Sequence, residues 1–293
     1  MRLDPALARF TRRVPRFRGW HRLLEPLRLH DVRAWTGRAD RWIVIDDFEG
    51  ALRMKLDRAA YMGSLIYWRG IHSFAEAAMV RRFLPGDGVF LDVGANQGEL
   101  TLVAAHRAPR GRVYAFEPVP EWFARLEENV ALNAFTHVRA FRLALSDTEG
   151  EVEMFASAAG HGDADYNEGL SSLHRSETRS VSVGSFPTLP LDAFAAREGL
   201  DRIDLIKIDV EGAEERVLAG GRETLARLRP VLVLEWKPDA LADAGTSGDG
   251  LLATLRALGY ACFEVDPFAR VREVPAGQRP RHDTLLARHA SGR

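Results

Sequence analysis

Several apolar runs of this chain end in an acidic residue, and carboxylates gathered at one edge could bind hydroxyl groups or a cation. Asp92, Glu117, Asp209 and Glu235 each end such a run, and Asp147 lies just beyond a fifth. If the runs are parallel strands, their carboxyl ends share one edge of a sheet, and the acids converge on one crevice. Desolvated carboxylates repel one another unless they accept hydrogen bonds or meet positive charge. We therefore expect a ligand with hydroxyl groups and a cationic centre.

A glycine-containing turn follows the first of these runs, at residues 89–98, VFLDVGANQG. Its two glycines allow a tight turn, but Asn96 stands where a dinucleotide fingerprint has its middle glycine. Asp92 would face a pyrophosphate with like charge. Glu117 lies 19 residues after the last glycine of the turn, near the spacing at which an acid reaches ribose hydroxyls. The pattern favours S-adenosylmethionine, which has a ribose and cationic groups but no phosphate, over NAD.

Strand and helix patterns alternate along most of the chain and predict an α/β fold with a parallel sheet and right-handed crossovers. After the turn, the predicted helices are residues 99–107, 120–133, from Glu211 onward and 249–258, and the strands are 112–116, 138–145, 203–208, 231–234, 261–265 and 284–287. Upstream, residues 42–56 are predicted to form a hairpin. Ser73 and Glu76 have the spacing of a capping box at the start of a helix that ends near Leu84.

The alternation stops at residues 151–186, which we interpret as an insertion. Two short strand patterns, at 151–156 and 180–186, flank a polar stretch at 157–179. A connection of this length in a compact domain is typical of a functional lid or a disordered segment. We expect a lid.

Residues 1–41 are rich in arginine and differ in charge from the rest of the chain. They carry eleven arginines against four acidic residues, a net charge of +7 that leaves −8 for the remainder. Prolines at positions 5, 15 and 26 are expected to interrupt any long helix. We expect an extension that either packs on its own domain or docks to a partner, an anionic glycan or a membrane surface.

Composition sets further limits on function and location. The acidic body speaks against a nucleic-acid partner. No apolar run is long enough to span a bilayer or to form the centre of a signal peptide. The single cysteine, Cys262, lies in an apolar run and is expected to be a small core residue, which fits a reducing cytoplasm.

Several segments resemble the FkbM family of S-adenosylmethionine-dependent methyltransferases. They are DVGANQGELT, FEPVPEWFARLEENVALN, ALSD, LIKIDVEGAEERVLAGG and PVLVLEW, over roughly residues 50–265. The first is common to class I methyltransferases, whereas IDVEGAE is specific to the family. The resemblance implies a three-layer Rossmann-like sandwich with a seven-stranded, mostly parallel sheet whose last strand is antiparallel. The predicted organisation is an extension at 1–41 and a methyltransferase domain at 42–293.

The resemblance also implies roles for the residues of the crevice, with S-adenosylhomocysteine as the product. The matched cofactor residues are Asp92, Gly94, Ala95, Asn96 and Gly98 at the methionine end, Glu117 and Pro118 at the ribose, and Ser146 and Asp147 near the adenine. Family members mostly methylate hydroxyl groups of sugars or natural products, so the same is expected of this chain.

Methyl transfer to a sugar hydroxyl needs a base near its line of attack, because the hydroxyl is a weak acid. Asp209 is the first choice and Glu211 the second, and the alternative that Asp209 only caps the following helix stays open. Lys207 alternates with Asp209 along the strand and is expected to fix that carboxylate or the oxyanion of the substrate.

Other residues are expected to contact the acceptor. They are Glu235, His161, His174 and Ser172, the last three in the predicted lid, where residues 169–176 resemble a Ser-Leu element of the family. Asp209, Glu211 and Glu235 could bind Mg²⁺ through oxygen, but no dedicated ligand spacing is present, so we predict no metal site.

The sequence thus predicts an S-adenosylmethionine-dependent O-methyltransferase that acts on a hydroxyl of a sugar or glycosylated natural product. The alternatives are an NAD-dependent Rossmann oxidoreductase, a noncatalytic S-adenosylmethionine-binding module, and a nucleic-acid or protein methyltransferase.

Overall fold

The structure, a computed structural model, describes residues 4–14, 19–157, 171–172 and 179–291. In chain order, the helices of these residues are α1 (Pro5–Arg13), α2 (Trp20–Trp35), α3 (Tyr61–Arg69), α4 (Phe74–Phe83), α5 (Glu99–Arg107), α6 (Pro120–Leu132), α7 (Leu191–Arg197), α8 (Glu214–Ala219), α9 (Arg222–Leu228), α10 (Pro238–Asp243) and α11 (Gly248–Ala257), with a 3-10 helix at Ala39–Arg41. The strands are β1 (Trp42–Phe48), β2 (Leu52–Asp57), β3 (Val89–Val93), β4 (Arg112–Phe116), β5 (Val138–Phe141), β6 (Ala144–Ser146), β7 (Gly150–Ser157), β8 (Ser171–Ser172), β9 (Arg179–Pro190), β10 (Leu205–Ile208), β11 (Val231–Glu235), β12 (Tyr260–Val265), β13 (Val271–Glu273) and β14 (Thr284–His289).

The main sheet has eight strands in the order β13-β12-β14-β11-β10-β3-β4-β5. Strands β5, β4, β3, β10 and β11 run parallel, and β14 pairs antiparallel with both β11 and β12. This confirms the predicted seven-stranded, mostly parallel sheet with an antiparallel last strand. The short strand β13 adds an eighth at the edge, antiparallel to β12.

Helices cover both faces of this sheet and give the molecule three layers. On one face, Leu91 and Ile206 pack with residues of α7 to α11. On the other face, Phe90 and Leu205 pack with residues of α3, α4 and α5. Strands buried on both faces have nearly continuous apolar sequences, which is why the sequence located them. Cys262 is buried in the first of these cores, as expected.

The insertion forms most of a second sheet of four strands, in the order β6-β9-β7-β8. Strands β7 and β9 pair antiparallel and are longer than the two predicted strand patterns. The single strand predicted at 138–145 is wrong, because β5 stays in the main sheet while β6 turns away to pair with β9. The predicted lid residues His161 and His174 lie outside the described residues.

The predicted hairpin is confirmed as β1 and β2, and the arginine-rich helices α1 and α2 pack on α3, which contacts β2. The carboxylate of Asp31 in α2 is buried and lies 2.7 Å from the guanidinium of Arg58, and it accepts hydrogen bonds from the indoles of Trp35 and Trp68. Pro26 lies inside α2, so the expected interruption there is wrong. Tertiary contacts of this kind outweigh the lost backbone hydrogen bond. Docking of this segment to a partner stays a prediction. No helix of the described residues combines the length and apolar character needed to cross a membrane.

Candidate active site

A cleft opens at the carboxyl ends of β3, β4, β10 and β11, where the sequence places its acidic residues. It encloses about 1110 Å³ including its open mouth. The predicted residues that line it are Asp92, Gly94, Ala95, Asn96, Glu117, Pro118, Lys207, Asp209, Glu211 and Glu235. The strand-end acids of β3, β4, β10 and β11 therefore converge on one site.

Lys207 lies at the floor of the cleft and joins two of the acids. Its Nζ donates to the carbonyl oxygen of Gly94 at 2.5 Å, and it lies 3.3 Å from Asp92 Oδ1 and 3.9 Å from Asp209 Oδ2. Burial opposes the charge of Lys207, but the two carboxylates outweigh it and hold its pKa above the ordinary value. The predicted contact of Lys207 with the carboxylate of Asp209 is present.

Close contacts explain the two glycines of the turn after β3. Gly94 has φ +77°, and a Cβ there would lie 2.0 Å from the carbonyl oxygen of Asp209. Gly98 has φ +92°, and a Cβ there would lie 2.8 Å from the side chain of Leu126 in α6. Gly98 therefore leaves room for Leu126 and is not among the residues that line the cleft, and its role at the methionine end of the cofactor stays a prediction.

Glu117 ends β4 and faces the cleft beside this turn. Its carboxylate accepts hydrogen bonds from the backbone N–H groups of Asn96 at 2.8 Å and Val119 at 2.9 Å. Burial nevertheless raises the pKa of Glu117 to about 7. A desolvated carboxyl group in this position is stabilised by further hydrogen-bond donors, such as the two hydroxyls of a ribose.

The segment after β10 is a turn, and the predicted start of a helix at Glu211 is wrong. Glu211 has φ 52° and Gly212 has φ 103°, and α8 begins only at Glu214. The carboxylate of Glu214 accepts the backbone N–H groups of Val210 at 3.1 Å and Gly212 at 3.4 Å, which stabilises the turn. No side chain caps α8, so the alternative that Asp209 is a helix cap is also wrong.

Asp209, Glu211 and Glu235 form an acidic cluster at this end of the cleft, with one oxygen of each within 4.8 Å of the others. These are the three residues that, by their sequence, could bind Mg²⁺ through oxygen. The ammonium group of Lys237 lies 3.1 Å from Glu211 Oε1 and also pairs with Glu235. A cation from the chain itself therefore compensates two of the three carboxylates.

The carboxyl groups of this cluster differ in the direction of their pKa shifts. Burial, together with the charges of Asp209 and Glu211, raises the pKa of Glu235 well above its ordinary value. Burial alone would also raise the pKa of Asp209, but Lys207, Lys237 and a hydrogen bond with Glu235 lower it. Within this cluster, Glu235 therefore binds a proton more readily than an ordinary glutamate, and Asp209 less readily than an ordinary aspartate.

The structure does not bring all predicted residues to the cleft. Ser146 is buried and its hydroxyl donates to Asp147 at 3.0 Å, while the preceding residues Ala144 and Leu145 line the cleft instead. The chain turns away here because the carbonyl oxygen of Ser146 packs on Gly220, where a Cβ would lie 2.0 Å from it. Contact of Ser146 and Asp147 with the adenine stays a prediction. Ser172 lies in β8, and its side chain is outside the described part of the chain.

Sequence reasoning missed several residues that line the cleft, including His72, Ser73, Glu99 and Lys237. The sequence positions of two of them could have indicated the cleft, since Glu99 directly follows the glycine turn and Lys237 lies two residues after Glu235. Ser73 was assigned to a capping box, but it makes no side-chain cap.

The cleft fits a nucleoside cofactor that carries positive charge. Glu117 offers a carboxyl group to a diol, and Asp92 and Asp209 suit cationic groups. The lysines of the cleft within the described ranges, Lys207 and Lys237, are both held by carboxylates, which leaves neither for a pyrophosphate. The sheet order is that of the class I, Rossmann-like methyltransferase fold.

The chain belongs to the FkbM methyltransferase family, because its residues 92–262 match the Methyltransferase FkbM domain. It is 36% identical over 151 residues to the 2-O-methyltransferase NoeI of Sinorhizobium fredii, which covers 49% of this chain and 61% of NoeI, less than two thirds of that relative. It is 32% identical over 213 residues to the 31-O-demethyl-FK506 methyltransferase FkbM of Streptomyces tacrolimicus, covering 65% and 79% of the two chains. It is 29% identical over 147 residues to the hexuronic acid methyltransferase AglP of Haloferax volcanii, covering 50% and 55%. Membership in this family replaces the NAD-dependent oxidoreductase alternative.

Proposed function

We propose that this chain transfers a methyl group to a hydroxyl of a sugar or glycosylated natural product. The observation that carries the proposal is the polar end of the cleft, where Asp209, Glu211 and Glu235 are held by Lys207 and Lys237. Charge-compensated carboxyl groups of this kind can hydrogen-bond several hydroxyls of one ligand without a net repulsive charge. The names of AglP and of FkbM from Streptomyces, which act on a hexuronic acid and on 31-O-demethyl-FK506, support an oxygen acceptor.

In this proposal the residues of the cleft bind and orient two ligands. Glu117 and Pro118 hold the ribose, and the turn at Gly94, Ala95 and Asn96 lies against the methionine portion. When bound, S-adenosylmethionine supplies a sulfonium methyl group that is already activated for attack by oxygen. The work left to the protein is positioning of the acceptor and removal of its proton.

The carboxylates at the other end orient the acceptor. The lysines favour the ionised form of Asp209, and its side chain is 40% exposed, so it can accept a hydrogen bond from a hydroxyl of the acceptor. Lys207 holds this carboxylate in place from the floor of the cleft. Glu235 and Glu211, held by Lys237, contact neighbouring hydroxyls in the same way.

The test combines cofactor binding with an acceptor panel. Calorimetric titration with S-adenosylhomocysteine is expected to show binding, weakened at least tenfold by Glu117→Ala. Sugars and glycosylated compounds are then incubated with methyl-labelled cofactor, and an O-methylated product is expected. Label that appears only on nucleic acid, on protein, or on a nitrogen or carbon of the small acceptor would overturn the proposal.

A further inference from the structure

The loop that joins α3 to α4 is fixed against the cofactor turn by one buried carboxylate. Glu99, the first residue of α5, accepts the backbone N–H of His72 at 2.6 Å and that of Ser73 at 3.2 Å. The residue is only 4% exposed. Because Glu99 directly follows Gly98, its carboxylate ties this loop to the cofactor turn.

This loop places the imidazole of His72 in the wall of the cleft. Nδ1 lies 3.1 Å from the hydroxyl oxygen of Ser73, and the ring meets the ring of Tyr61 edge to face at 5.9 Å. Within the described residues, Nε2 has no hydrogen-bond partner. The ring is therefore oriented at one nitrogen and open at the other, with 30% of the side chain exposed.

Carboxyl groups surround this imidazole from three elements. Glu99 Oε2 of α5 lies 3.8 Å from Nδ1, and His72 interacts electrostatically with Glu76 of α4 and with Asp209 beyond β10. His72 and Asp209 line the same cleft.

The carboxyl groups of the acidic cluster are poorly suited to take up a proton near neutral pH. The two lysines hold the pKa of Asp209 below its ordinary value, which makes it a weak base. Glu235 and Glu211 are both paired with Lys237. Imidazole is the side chain that commonly serves as a general base in this pH range.

We propose that His72 is the general base that takes the proton of the acceptor hydroxyl, with Glu99 as its positioning residue. The inference rests on the proposed O-methylation. As the acceptor oxygen bonds to the methyl carbon, the carbon–sulfur bond breaks with its electron pair on sulfur. The hydroxyl proton moves to the imidazole, which releases it to water before the next turnover. Asp209 orients the acceptor through a neighbouring hydroxyl.

The experiment compares His72→Gln with wild type on the acceptor found by the panel. We expect kcat to fall by about 100-fold to 1000-fold, the affinity for S-adenosylhomocysteine to stay within twofold, and the acidic limb of the pH profile of kcat, measured with saturating cofactor and acceptor, to disappear. Added imidazole should restore part of the activity of His72→Ala. The control is His106→Gln, an exposed histidine on α5, which should match wild type.

Glu99→Gln separates positioning from proton transfer, because one amide oxygen replaces two carboxylate acceptors. We expect a smaller loss of kcat with the acidic limb retained. A His72→Gln enzyme within threefold of wild-type kcat would overturn the assignment, as would a parallel loss of activity and cofactor affinity. Absence of any O-methyl product from the wild-type enzyme would instead contradict the proposed function.

Discussion

The buried carboxyl groups of this protein differ in what faces them, and this sets how each responds to pH. Asp209 faces two lysines, which lower its pKa. Glu117 and Glu214 accept backbone N–H groups, but burial dominates and raises the pKa of each to about 7. At the residue scale, the affinity for cofactor and the stability of the fold should therefore both change near neutral pH.

Cofactor affinity should depend on the ionisation of Glu117. Only the ionised carboxylate accepts both hydroxyls of a ribose, so protonation below about pH 7 weakens binding. We expect the affinity for S-adenosylhomocysteine to fall about tenfold per pH unit between pH 6.5 and 5.5, since one pKa unit corresponds to a tenfold change. Calorimetry with the wild-type protein and Glu117→Gln tests this. The variant should bind weakly with no pH dependence; a wild-type affinity that is flat with pH would contradict the role.

Lys237 should make the reaction independent of added metal. Its ammonium group already pairs with Glu211 and Glu235, so a divalent cation would have to displace it. After dialysis against EDTA, we expect the wild-type rate to stay within twofold. Lys237→Ala should bind Mg²⁺ more tightly than wild type in a titration. Loss of wild-type activity that Mg²⁺ restores would show instead that the cluster is a metal site.

At the scale of elements, helix α6 holds the hairpin to the cofactor turn through asparagine side chains. Asn129 is fully buried, accepts the backbone N–H of Lys55 at 2.7 Å, and donates to the carbonyl oxygen of Gln97 at 2.8 Å. We expect Asn129→Ala to lower the free energy of unfolding by about 2–3 kcal/mol, because buried partners are left unsatisfied. Asn133→Ala, which bonds Arg53 nearer the surface, should cost about 1 kcal/mol. Equal losses in urea unfolding would contradict the importance of burial.

The turn before α8 depends on a carboxyl group that is costly to ionise. The pKa of Glu214 is about 7 in the folded protein and ordinary in the unfolded chain, so folded stability falls as pH rises from 4.5 through 7. Glutamine keeps an acceptor oxygen without the charge. We expect Glu214→Gln to be more stable than wild type by about 2 kcal/mol at pH 8, and by much less at pH 5. Urea unfolding at both pH values measures this, with the exposed Glu121→Gln as control; an equal effect at both would refute it.

Local patterns predicted the elements well and their ends poorly. The buried strands and the meeting of Asp92, Glu117, Asp209 and Glu235 followed from apolar runs and parallel topology. The errors arose where contacts between residues far apart in sequence determine the local structure. Glu76 bonds Thr284, 208 positions away in sequence, and therefore does not form a capping box with Ser73. No sequence pattern indicated that His72 lies in the cleft, because its position depends on Glu99, which is 27 positions further along the chain.

At the scale of the whole molecule, the positive charges of residues 1–41 and the negative charges of the rest of the chain neutralise each other. Arg9, Arg12 and Arg41 pair with Asp46, Asp47 and Asp57 of the hairpin, while Asp31 pairs with Arg58. The net charges of +7 for residues 1–41 and −8 for the remainder predicted an extension. They could not show these ion pairs, because only the fold brings the paired residues together. The segment is part of the domain.

The buried ion pair between Asp31 and Arg58 should contribute strongly to holding residues 1–41 on the rest of the protein. Asp31→Ala leaves the guanidinium of Arg58 buried without its carboxylate, which should cost about 3–5 kcal/mol of stability. Asp46→Ala removes an exposed pair with Arg9 and should cost at most about 1 kcal/mol. Thermal and urea unfolding of the two variants gives the comparison. If Asp31→Ala unfolds like Asp46→Ala, the segment contributes little to the fold.

The family match begins at Asp92, inside β3, and this has a practical consequence for producing the protein. A shortened chain cut at that boundary would lose Val89, Phe90 and Leu91, which supply apolar side chains to both cores. It would also lose the hairpin that Asn129 holds and the loop that carries His72. The smallest unit expected to fold and methylate therefore reaches upstream to α1, well beyond the part that sequence comparison marks as the domain.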